Sequence, residues 1–403
     1  MVREVNLFGV QAGRDSYPLY AQLRAEAPIA RDVATGMWLV SRYDDVTRVL
    51  RDPETFSSDV SASEFARNRA IIVFTDPPDH TKMRALVSGA FTPRVIEAQR
   101  DAIRAYCDEL VDRMCAKETA DIVAELGYPL PVTVIARMLG VEDGDLAVFK
   151  RWSDTFFDNL AALLITGDEE PIKDALGEFN LYFGRKLAQL REQPEETLLS
   201  ALVHVETEDG RLTEADLLML CRVILVAGNE TTTGLIVNAV RAFAEFPEAL
   251  DRVRDDLTLL PGAIEEALRF YPPFDRVPRR ATRDVELCGE IVRKGDRVLA
   301  LIASANRDEA VFERADEFVI DRQPNRHLGF GLGIHYCVGA PLARLEGYIA
   351  LATLLPRVRR IEVTGVEGRD PMSPGGPKSL DVRLELDRSA PPARTRQDAE
   401  ARR

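Results

Sequence analysis

The chain has 403 residues, of which 46% are hydrophobic and 29% are charged, so it has enough apolar material for a large buried core. Its 52 basic and 66 acidic side chains give a formal net charge of −14, which argues against general nucleic-acid binding because phosphate contacts need clustered Lys and Arg. The five cysteines include no Cys-x-x-Cys pair and the four histidines no His-Glu-x-x-His spacing, so neither a disulfide framework nor a structural zinc site is expected.

The N-terminal residues, 1–12, lack the charged and apolar regions of a signal peptide. The most apolar helical pattern, Leu217 to Val240, is interrupted by Arg222 and Glu230 and falls short of an uninterrupted membrane span. We therefore expect a cytoplasmic protein with no membrane insertion.

The hydrophobic periodicity differs between the region before Pro272 and the region after it. From His80 to Gly262 apolar residues recur every three or four positions, which predicts helices, whereas short β-type runs separated by glycine turns follow Pro272. The other predicted elements are a helix at Asp44–Leu50, strands at Val285–Leu287, Ile291–Val292 and Val298–Ile302, a helix at Leu342–Val358, and strands at Ile361–Val363 and Leu380–Leu386. The fold class is thus mainly α with a small β portion. A single domain is expected at 1–387, followed by a disordered tail at 388–403 that is rich in Ala, Pro, Arg and acids.

One long helix is predicted from Leu217 to Phe246, with Thr213 as its N-cap. Its middle, Ala227-Gly228-Asn229-Glu230-Thr231-Thr232-Thr233, is a polar island in apolar sequence. An acid and a hydroxyl inside a buried helix need partners or water, so the segment is either a functional site or a turn that faces solvent.

The segment from Phe330 to Gly339 places Cys337 in a glycine-rich loop directly before a predicted helix. The free N–H groups and the dipole of a helix N-terminus favour a thiolate. No second Cys or His lies at ligand spacing, so zinc fits poorly, whereas one thiolate suffices for haem iron. A buried structural cysteine is the alternative interpretation.

This segment resembles the haem-binding loop of the cytochrome P450 family, which reads Phe, Gly, any, Gly, any, His or Arg, any, Cys, any, Gly, and every position fits. The resemblance implies the P450 fold, a helix-rich prism with haem b between the long central helix and the helix after the cysteine. It implies Cys337 as the metal ligand. The other loop residues expected at the cofactor are Phe330, Gly331, His335 and Gly339.

The polar island resembles the family's oxygen-activation motif, Ala-Gly-x-(Asp or Glu)-Thr, with Glu in place of the commoner Asp. The resemblance implies that Glu230 and Thr231 relay protons during oxygen activation and that Ala227 and Gly228 border the cofactor. The alternative for Glu230 is an ordinary polar turn.

Two further motifs lie in the family's order. Glu266 and Arg269 resemble its Glu-x-x-Arg element, with Arg322 as the expected third member of a structural network; alone, the pair would be an ordinary exposed helical ion pair. His80 and Arg84 match the His-x-x-x-Arg that binds haem propionates, since Arg suits a carboxylate. Arg279 and His335 match two more propionate positions, although Arg280 beside Arg279 leaves that assignment open.

The resemblance also implies a substrate pocket and an activity. The expected pocket wall comprises Ile71, Ile72, Leu225, Ala227, Phe274 and Val277, with the turn near Gly375, under an apolar cover at Trp152–Leu190. The implied enzyme is a monooxygenase that inserts one atom of O2 into a small apolar substrate, by hydroxylation or epoxidation of a fatty acid, terpenoid, steroid or polyketide. Electrons are expected from a separate ferredoxin-type partner with an NAD(P)H-dependent reductase, and Arg344 and Lys82 are docking candidates.

Two alternatives remain at this point. A peroxygenase of the same fold would use H2O2 without a reductase, but such enzymes typically lack the acid–alcohol pair that Glu230 and Thr231 resemble. A non-catalytic haem- or ligand-binding protein would have no need of that pair.

Overall fold

A computed structural model describes residues 3–8, 16–60, 71–159, 168–207, 210–368 and 376–387. Residues 388–403, for which a disordered tail is predicted, lie outside the described ranges, as do part of the predicted pocket cover and Gly375.

The described residues are mainly helical, as the sequence predicts. Their helices are α1 Tyr17–Glu26, α2 Tyr43–Arg51, α3 Asp79–Ala90, α4 Pro93–Glu97, α5 Arg100–Cys115, α6 Pro129–Met138, α7 Leu146–Asp158, α8 Lys173–Glu192, α9 Leu198–His204, α10 Glu214–Glu245, α11 Pro247–Asp255, α12 Leu260–Phe270, α13 Ile302–Ala305 and α14 Ala340–Leu354. Short 3₁₀ turns occur at Ile72–Phe74, Asp143–Asp145, Glu170–Ile172, Leu257–Leu259, Gly333–His335 and Leu355–Arg357, and a π-helical turn at Val123–Gly127.

The strands form a minor, mostly antiparallel component. They are β1 Arg3–Val5, β2 Ile29–Asp32, β3 Trp38–Val40, β4 Phe56–Ser57, β5 Thr119–Asp121, β6 Glu206–Thr207, β7 Gly210–Arg211, β8 Val277–Ala281, β9 Val285–Leu287, β10 Glu290–Val292, β11 Arg297–Ala300, β12 Val358–Glu367 and β13 Ser379–Leu386. Among the described residues, one sheet has the order β1-β2-β3-β11-β8-β4 and another the order β12-β13-β5, with two-stranded ladders β9-β10 and β6-β7.

Helix α10 runs through the main core. The Thr213 side chain accepts a hydrogen bond from the backbone N–H of Asp216, and the Asp216 carboxylate accepts one from the Thr213 N–H, so the predicted N-cap is confirmed as a full capping box. The helix is long and apolar enough to cross a membrane, but 72% of its most apolar window is buried inside the protein. Its apolar character is therefore that of a core helix.

Several parts of the chain differ from the elements predicted. Strands β5, β6 and β7 interrupt the region from His80 to Gly262 that is predicted to be almost wholly helical: Thr119–Asp121 adds to the edge of β13, and β6 pairs with β7. Ile302 begins α13 and does not end a strand. The helix predicted to reach Val358 ends at Leu354, since Pro356 lies in a 3₁₀ turn and Val358 already pairs in β12.

Helix α14 packs closely against α10. A Cβ placed on Gly347 would lie 3.3 Å from the Leu235 side chain, so the small residue allows the close approach of the two helices. This contact places α14, the helix that follows Cys337, directly against the central helix.

A buried ionic network fixes the segment that leads to the cysteine loop. Glu266 and Arg269 form a two-bond ion pair, with N–O distances of 2.9 and 2.8 Å, and neither side chain is exposed. Glu266 also accepts from Arg322, at 3.1 and 3.2 Å, and from the Val319 N–H at 2.8 Å. Arg269 donates to three backbone carbonyls, those of Asn306, Ala315 and Glu317. The predicted triad is thus assembled in the structure.

We predict that Glu266→Gln lowers the free energy of unfolding by about 3–5 kcal/mol, because it leaves two buried guanidinium groups without a counter-charge. Asp321→Asn is the control, since Asp321 pairs with Arg252 at the surface and about half of each side chain is exposed; we expect it to cost less than about 1 kcal/mol. Denaturant unfolding followed by circular dichroism measures both, and equal costs would show that the buried network is not a special stabilising element.

Candidate active site

Two glycines allow the backbone conformation of the cysteine loop. Gly331 and Gly333 have φ values of +72° and +71°, in the region that residues with a Cβ rarely adopt. At Gly333 a Cβ would also lie 2.8 Å from the Leu50 carbonyl oxygen, so the loop lies directly on the end of α2. The loop closes where the Cys337 N–H donates to the Phe330 carbonyl at 3.0 Å.

Cys337 lies three residues before α14, with its sulfur near the helix N-terminus. Burial raises the pKa of the thiol above its usual value, while the N–H groups of Gly339 and Ala340 and the charges of Arg84 and Arg344 oppose that rise. The helix N-terminus thus favours the thiolate while burial disfavours it, and a cation bound at the sulfur would offset the burial cost. Cys337 is not part of any described cluster of three or more His, Cys, Asp or Glu side chains that could hold a metal ion, so it would supply one protein ligand to a group that already has others.

Four basic side chains, those of His80, Arg84, Arg279 and His335, lie on one side of the loop; they are called the cationic group here for the two arginines. His80 and His335 are in ring contact, with centroids 4.4 Å apart. Burial, together with the charges of Arg279, His80 and Arg84, lowers the pKa of His335 to about 3, so this ring is neutral at pH 7. Burial also lowers the pKa of Arg279, to about 10. The structure therefore brings together the four residues predicted to bind propionates.

The neighbouring arginines Arg279 and Arg280 point in different directions from strand β8. Arg280 forms an ion pair with Asp59 at 3.0 Å, whereas Arg279 is 5% exposed and donates to the Pro278 carbonyl. Alternation along a strand explains the difference. Of the two, Arg279 is the one directed at the cationic group.

These side chains fit an anionic ligand with carboxylates. Asp76 is the acid whose charge acts on both His80 and Arg279, and its oxygens already accept from Ser57 Oγ and the Ser58 N–H. His80 is 2% exposed, and its Nε2 has no hydrogen-bond partner among the described residues. The Arg84 and Arg279 guanidinium groups and the unpaired His80 nitrogen could all bind an anionic partner, which the two propionates of a haem would provide.

The middle of α10 combines exposed and buried positions. Ala227 is exposed although it lies within a core helix, which is the arrangement expected where a cofactor covers the helix. Thr231 Oγ1 donates to the Ala227 carbonyl at 2.8 Å, so the hydroxyl is oriented by the preceding turn. Glu230 is 5% exposed, and its charge contributes to the raised pKa of Tyr128, behind the larger effects of burial and Asp154.

Two residues predicted at the site, Gly228 and Leu225, pack against other parts of the protein. A Cβ on Gly228 would be 2.6 Å from Ile135 Cδ1, so the missing side chain allows α10 to cross closely over α6, while the residue itself stays partly exposed. Leu225 is fully buried in the main core, whereas Ala227 is exposed. Because residues two apart on a helix point about 200° apart, both cannot face the same pocket. Val226, which is partly exposed, is the better candidate for the wall.

The remaining predicted wall residues are apolar, and several are open to solvent. Phe274 is 40% exposed, Ile72 and Val277 are partly exposed, and Ile71 is buried. Val73, beside Ile72 in a 3₁₀ turn, is 49% exposed and was not expected from the sequence. Apolar side chains with this exposure are consistent with a surface that an apolar ligand covers.

Ser58 and Asp76 lie at the site although the sequence motifs did not predict them. Ser58 Oγ lies 2.7 Å from His335 Nε2, and Asp76 accepts the Ser58 N–H at 2.9 Å. Neither belongs to a recognised motif, because Ser58 is 277 residues from His335 in the chain and meets it only in the fold. The sole signal in the sequence is the position of Asp76 just before His80.

The two docking candidates differ in the structure. Lys82 is exposed on α3, whereas Arg344 is bound to Glu265 by two charge-assisted hydrogen bonds of 2.6 and 2.8 Å. The Arg344 side chain therefore already has a partner within the chain, and a role in binding another protein would have to compete with that ion pair.

A lone cysteine at a helix N-terminus, a buried cationic group beside it and a long core helix across from it are the features of a haem-thiolate protein. Comparison with known proteins agrees. The family model named Cytochrome P450 matches residues 30–376.

Three relatives illustrate the similarity. The chain is 40% identical over 361 residues to a putative cytochrome P450, YjiB, of Bacillus subtilis, covering 87% of this chain and 90% of YjiB. It is 39% identical to the mycinamicin IV hydroxylase/epoxidase of Micromonospora griseorubida, covering 85% and 88%. The crystal structure of CYP109E1 from Bacillus megaterium in complex with testosterone is 36% identical, covers 92% of this chain and 99% of that chain, and superposes with a TM-score of 0.83.

The chain therefore belongs to the cytochrome P450 family. It is a P450 monooxygenase, with the P450 fold and with haem b as its cofactor.

We predict that Gly333→Ala reduces haem incorporation, because the new Cβ would push against the Leu50 carbonyl and distort the loop that holds Cys337. Gly36→Ala is the matched control: Gly36 has a φ of +69° but nothing within 4 Å of the added Cβ. Both variants carry the left-handed backbone cost of about 1–2 kcal/mol. The ratio of haem to protein absorbance measures the difference, and equal haem loss in both variants would contradict the prediction.

Proposed function

We propose that this monooxygenase hydroxylates or epoxidises a small apolar molecule of the polyketide or steroid kind, with electrons from a separate ferredoxin-type partner and its NAD(P)H-dependent reductase. The observation that carries the proposal is the joint placement of Cys337, the buried cationic group and the Glu230–Thr231 pair in one P450 fold. The family relationship sets the reaction class, and we place the enzyme in the cytoplasm.

Cys337 is the residue we assign to the iron, and the cationic group is assigned to the propionates. Arg84 and Arg279 supply charge, while Ser58 orients the His335 ring through the contact at 2.7 Å. With the cofactor bound, the opposing charges would relieve the burial cost that lowers the pKa values of Arg279 and His335.

Haem b supplies the oxygen chemistry, in which two electrons and two protons let one atom of O2 enter the substrate while the other leaves as water. This chain must deliver those protons and keep bulk water out. The Thr231 hydroxyl donates to the Ala227 carbonyl, so its oxygen lone pairs face away from that bond and can accept a hydrogen bond. Glu230, next in the chain and buried, is the proposed source of the proton.

The apolar residues near the expected pocket support an apolar substrate. Phe274 and Ile72, which the family resemblance implies for the pocket wall, and Val73 beside Ile72 expose apolar surface. An aromatic side chain with aliphatic neighbours favours a hydrocarbon ligand over a charged one. One relative is named as a mycinamicin IV hydroxylase/epoxidase, and the structure of another, CYP109E1, is a complex with testosterone. We therefore place polyketides and steroids ahead of fatty acids and small terpenoids.

A screen of spectral shifts tests the substrate class. A steroid such as testosterone and a macrolide should displace water from the iron and shift the haem spectrum, whereas a charged compound of similar size should not. Product formation should require ferredoxin, its reductase and NAD(P)H; product from H2O2 alone would instead identify a peroxygenase. Haem binding without any consumption of reductant would identify a non-catalytic carrier.

We predict that Cys337→Ala removes the strongly red-shifted Soret band of the reduced carbon monoxide complex, because that shift reports thiolate ligation. Cys115→Ala is the control, since Cys115 is a free, partly buried cysteine at the end of α5 and should leave the band unchanged. A band retained by the Cys337 variant would overturn the assignment of the ligand.

We predict that Thr231→Ala still binds substrate but diverts more reductant to hydrogen peroxide, with product per NAD(P)H falling by about tenfold, less than the ~10²–10⁴-fold typical of a lost general acid or base because Glu230 remains. Thr231→Ser keeps the hydroxyl and should retain most of the coupling. Peroxide and product are measured together in one reaction. Coupling that stays unchanged in the alanine variant would remove Thr231 from proton delivery.

A further inference from the structure

Glu265 and Glu266 are neighbours on α12 but hold different parts of the chain. Successive helix residues point about 100° apart, so Glu266 faces the buried segment around Arg322 while Glu265 faces α14. Glu265 binds Arg344 with both oxygens, at 2.6 and 2.8 Å. The Glu-x-x-Arg network accounts for Glu266 and leaves Glu265 without an assigned role.

Arg344 contacts both ends of the cysteine loop. Its guanidinium lies over the Phe330 ring, 4.5 Å from the centroid, and its Nη1 donates to the Tyr336 hydroxyl at 3.2 Å. Phe330 carries the carbonyl that accepts the Cys337 N–H, and Tyr336 directly precedes Cys337. A planar guanidinium can stack on a ring and bind a carboxylate at the same time, which a lysine cannot do.

His327, in the segment that leads to the cysteine loop, binds the same carboxylate. Its Nδ1 accepts the Gly329 N–H at 3.1 Å, so Nε2 carries the proton and donates to Glu265 at 3.0 Å. Gly329 leaves no room for a side chain, since a Cβ there would lie 2.7 Å from the Leu268 carbonyl of α12. Glu265 therefore joins the chain before the loop to the helix after it.

The Glu265 carboxylate is held in its charged form. Burial favours the neutral acid, but hydrogen bonds from Arg344 and His327 outweigh it and lower the pKa of Glu265 to about 2. Glu265 and Arg344 therefore form an ion pair at neutral pH.

We propose that Glu265, Arg344 and His327 form a clamp on the cysteine loop that keeps Cys337 in the position required to bind the iron as a thiolate. The three are positioning residues, since they act on Cys337 through their contacts with Phe330 and Tyr336. The proposal rests on the assignment of Cys337 as the ligand. It gives Arg344 a role inside the chain in place of the docking role considered from the sequence.

The test is the stability of thiolate ligation in the holoenzyme. Glu265→Gln should speed the loss of the red-shifted carbon monoxide band on mild heating by about tenfold, which corresponds to about 1.4 kcal/mol. Arg344→Lys, which keeps the charge but loses the two-bond geometry and the stacking, should show a smaller effect in the same direction. The reduction potential of the haem is a second readout, and we expect both variants to shift it.

The matched control is a second Glu–Arg–aromatic cluster far from the loop in sequence. Arg241 lies over the Tyr271 ring at 4.5 Å and binds Glu245 at 2.8 Å, and these two side chains are each 35% exposed, against 35% and 30% for Arg344 and Glu265. Glu245→Gln should change the rate of band loss by less than about twofold. Circular dichroism during the same heating shows whether the fold remains intact.

Equal rates for the Glu265, Glu245 and wild-type proteins would overturn the clamp. Loss of the band only in step with global unfolding would also overturn it, because the residues would then stabilise the fold alone. A Glu265 variant that does not fold leaves Arg344→Lys to decide. A red-shifted band that survives Cys337→Ala would defeat the proposed ligand itself, which is a separate outcome from failure of the clamp.

Discussion

Two adjacent carboxylates on α12 hold the stretch of chain that carries the cysteine. Glu266 binds Arg269, Arg322 and a backbone N–H in a fully buried network, and Glu265 binds Arg344 and His327 at its edge. The stretch of chain between Arg322 and the start of α14 has little regular secondary structure of its own. The precision of that stretch therefore depends on charge-assisted hydrogen bonds from a rigid helix, and not on a continuous helix or strand.

The electrostatic character of the site follows from the burial of basic side chains, among them Arg279 and His335. Burial disfavours the charged forms of His335 and Arg279, yet both are held beside His80 and Arg84. Buried basic side chains of this kind cost free energy on folding and favour the binding of an anionic group. On the proposed assignment, the two propionates of haem b would offset that cost, and Cys337 would hold the iron. The acidic net charge of the chain gives no hint of this local positive field.

Much of the site could be predicted because its motifs are local in sequence. The loop from Phe330 to Gly339 and the capped central helix depend on residues within a few turns of one another, so their spacing is visible. Ser58 and the partner of Arg344 could not be predicted, since Ser58 reaches His335 and Glu265 reaches Arg344 only through tertiary packing. Leu225 was predicted to line the pocket, but the structure buries it in the core. Its position in the family pattern does not specify which face of α10 it occupies, whereas its burial does.

The six-stranded sheet also has a consequence for how the cofactor site tolerates change. Strand β8 pairs with β4, with Ser57 opposite Arg280, so the same ladder that directs Arg279 inward fixes the start of the segment that carries Ser58. A slip of one residue would exchange the inward and outward arginines and separate Ser58 from His335. Insertions and deletions should therefore be rare in β4 and β8 of functional homologues, even though these short strands lie far along the chain from Cys337. A sheet that forms a small part of a helical protein thus fixes the relative positions of Arg279 and Ser58, which both lie at the proposed haem site.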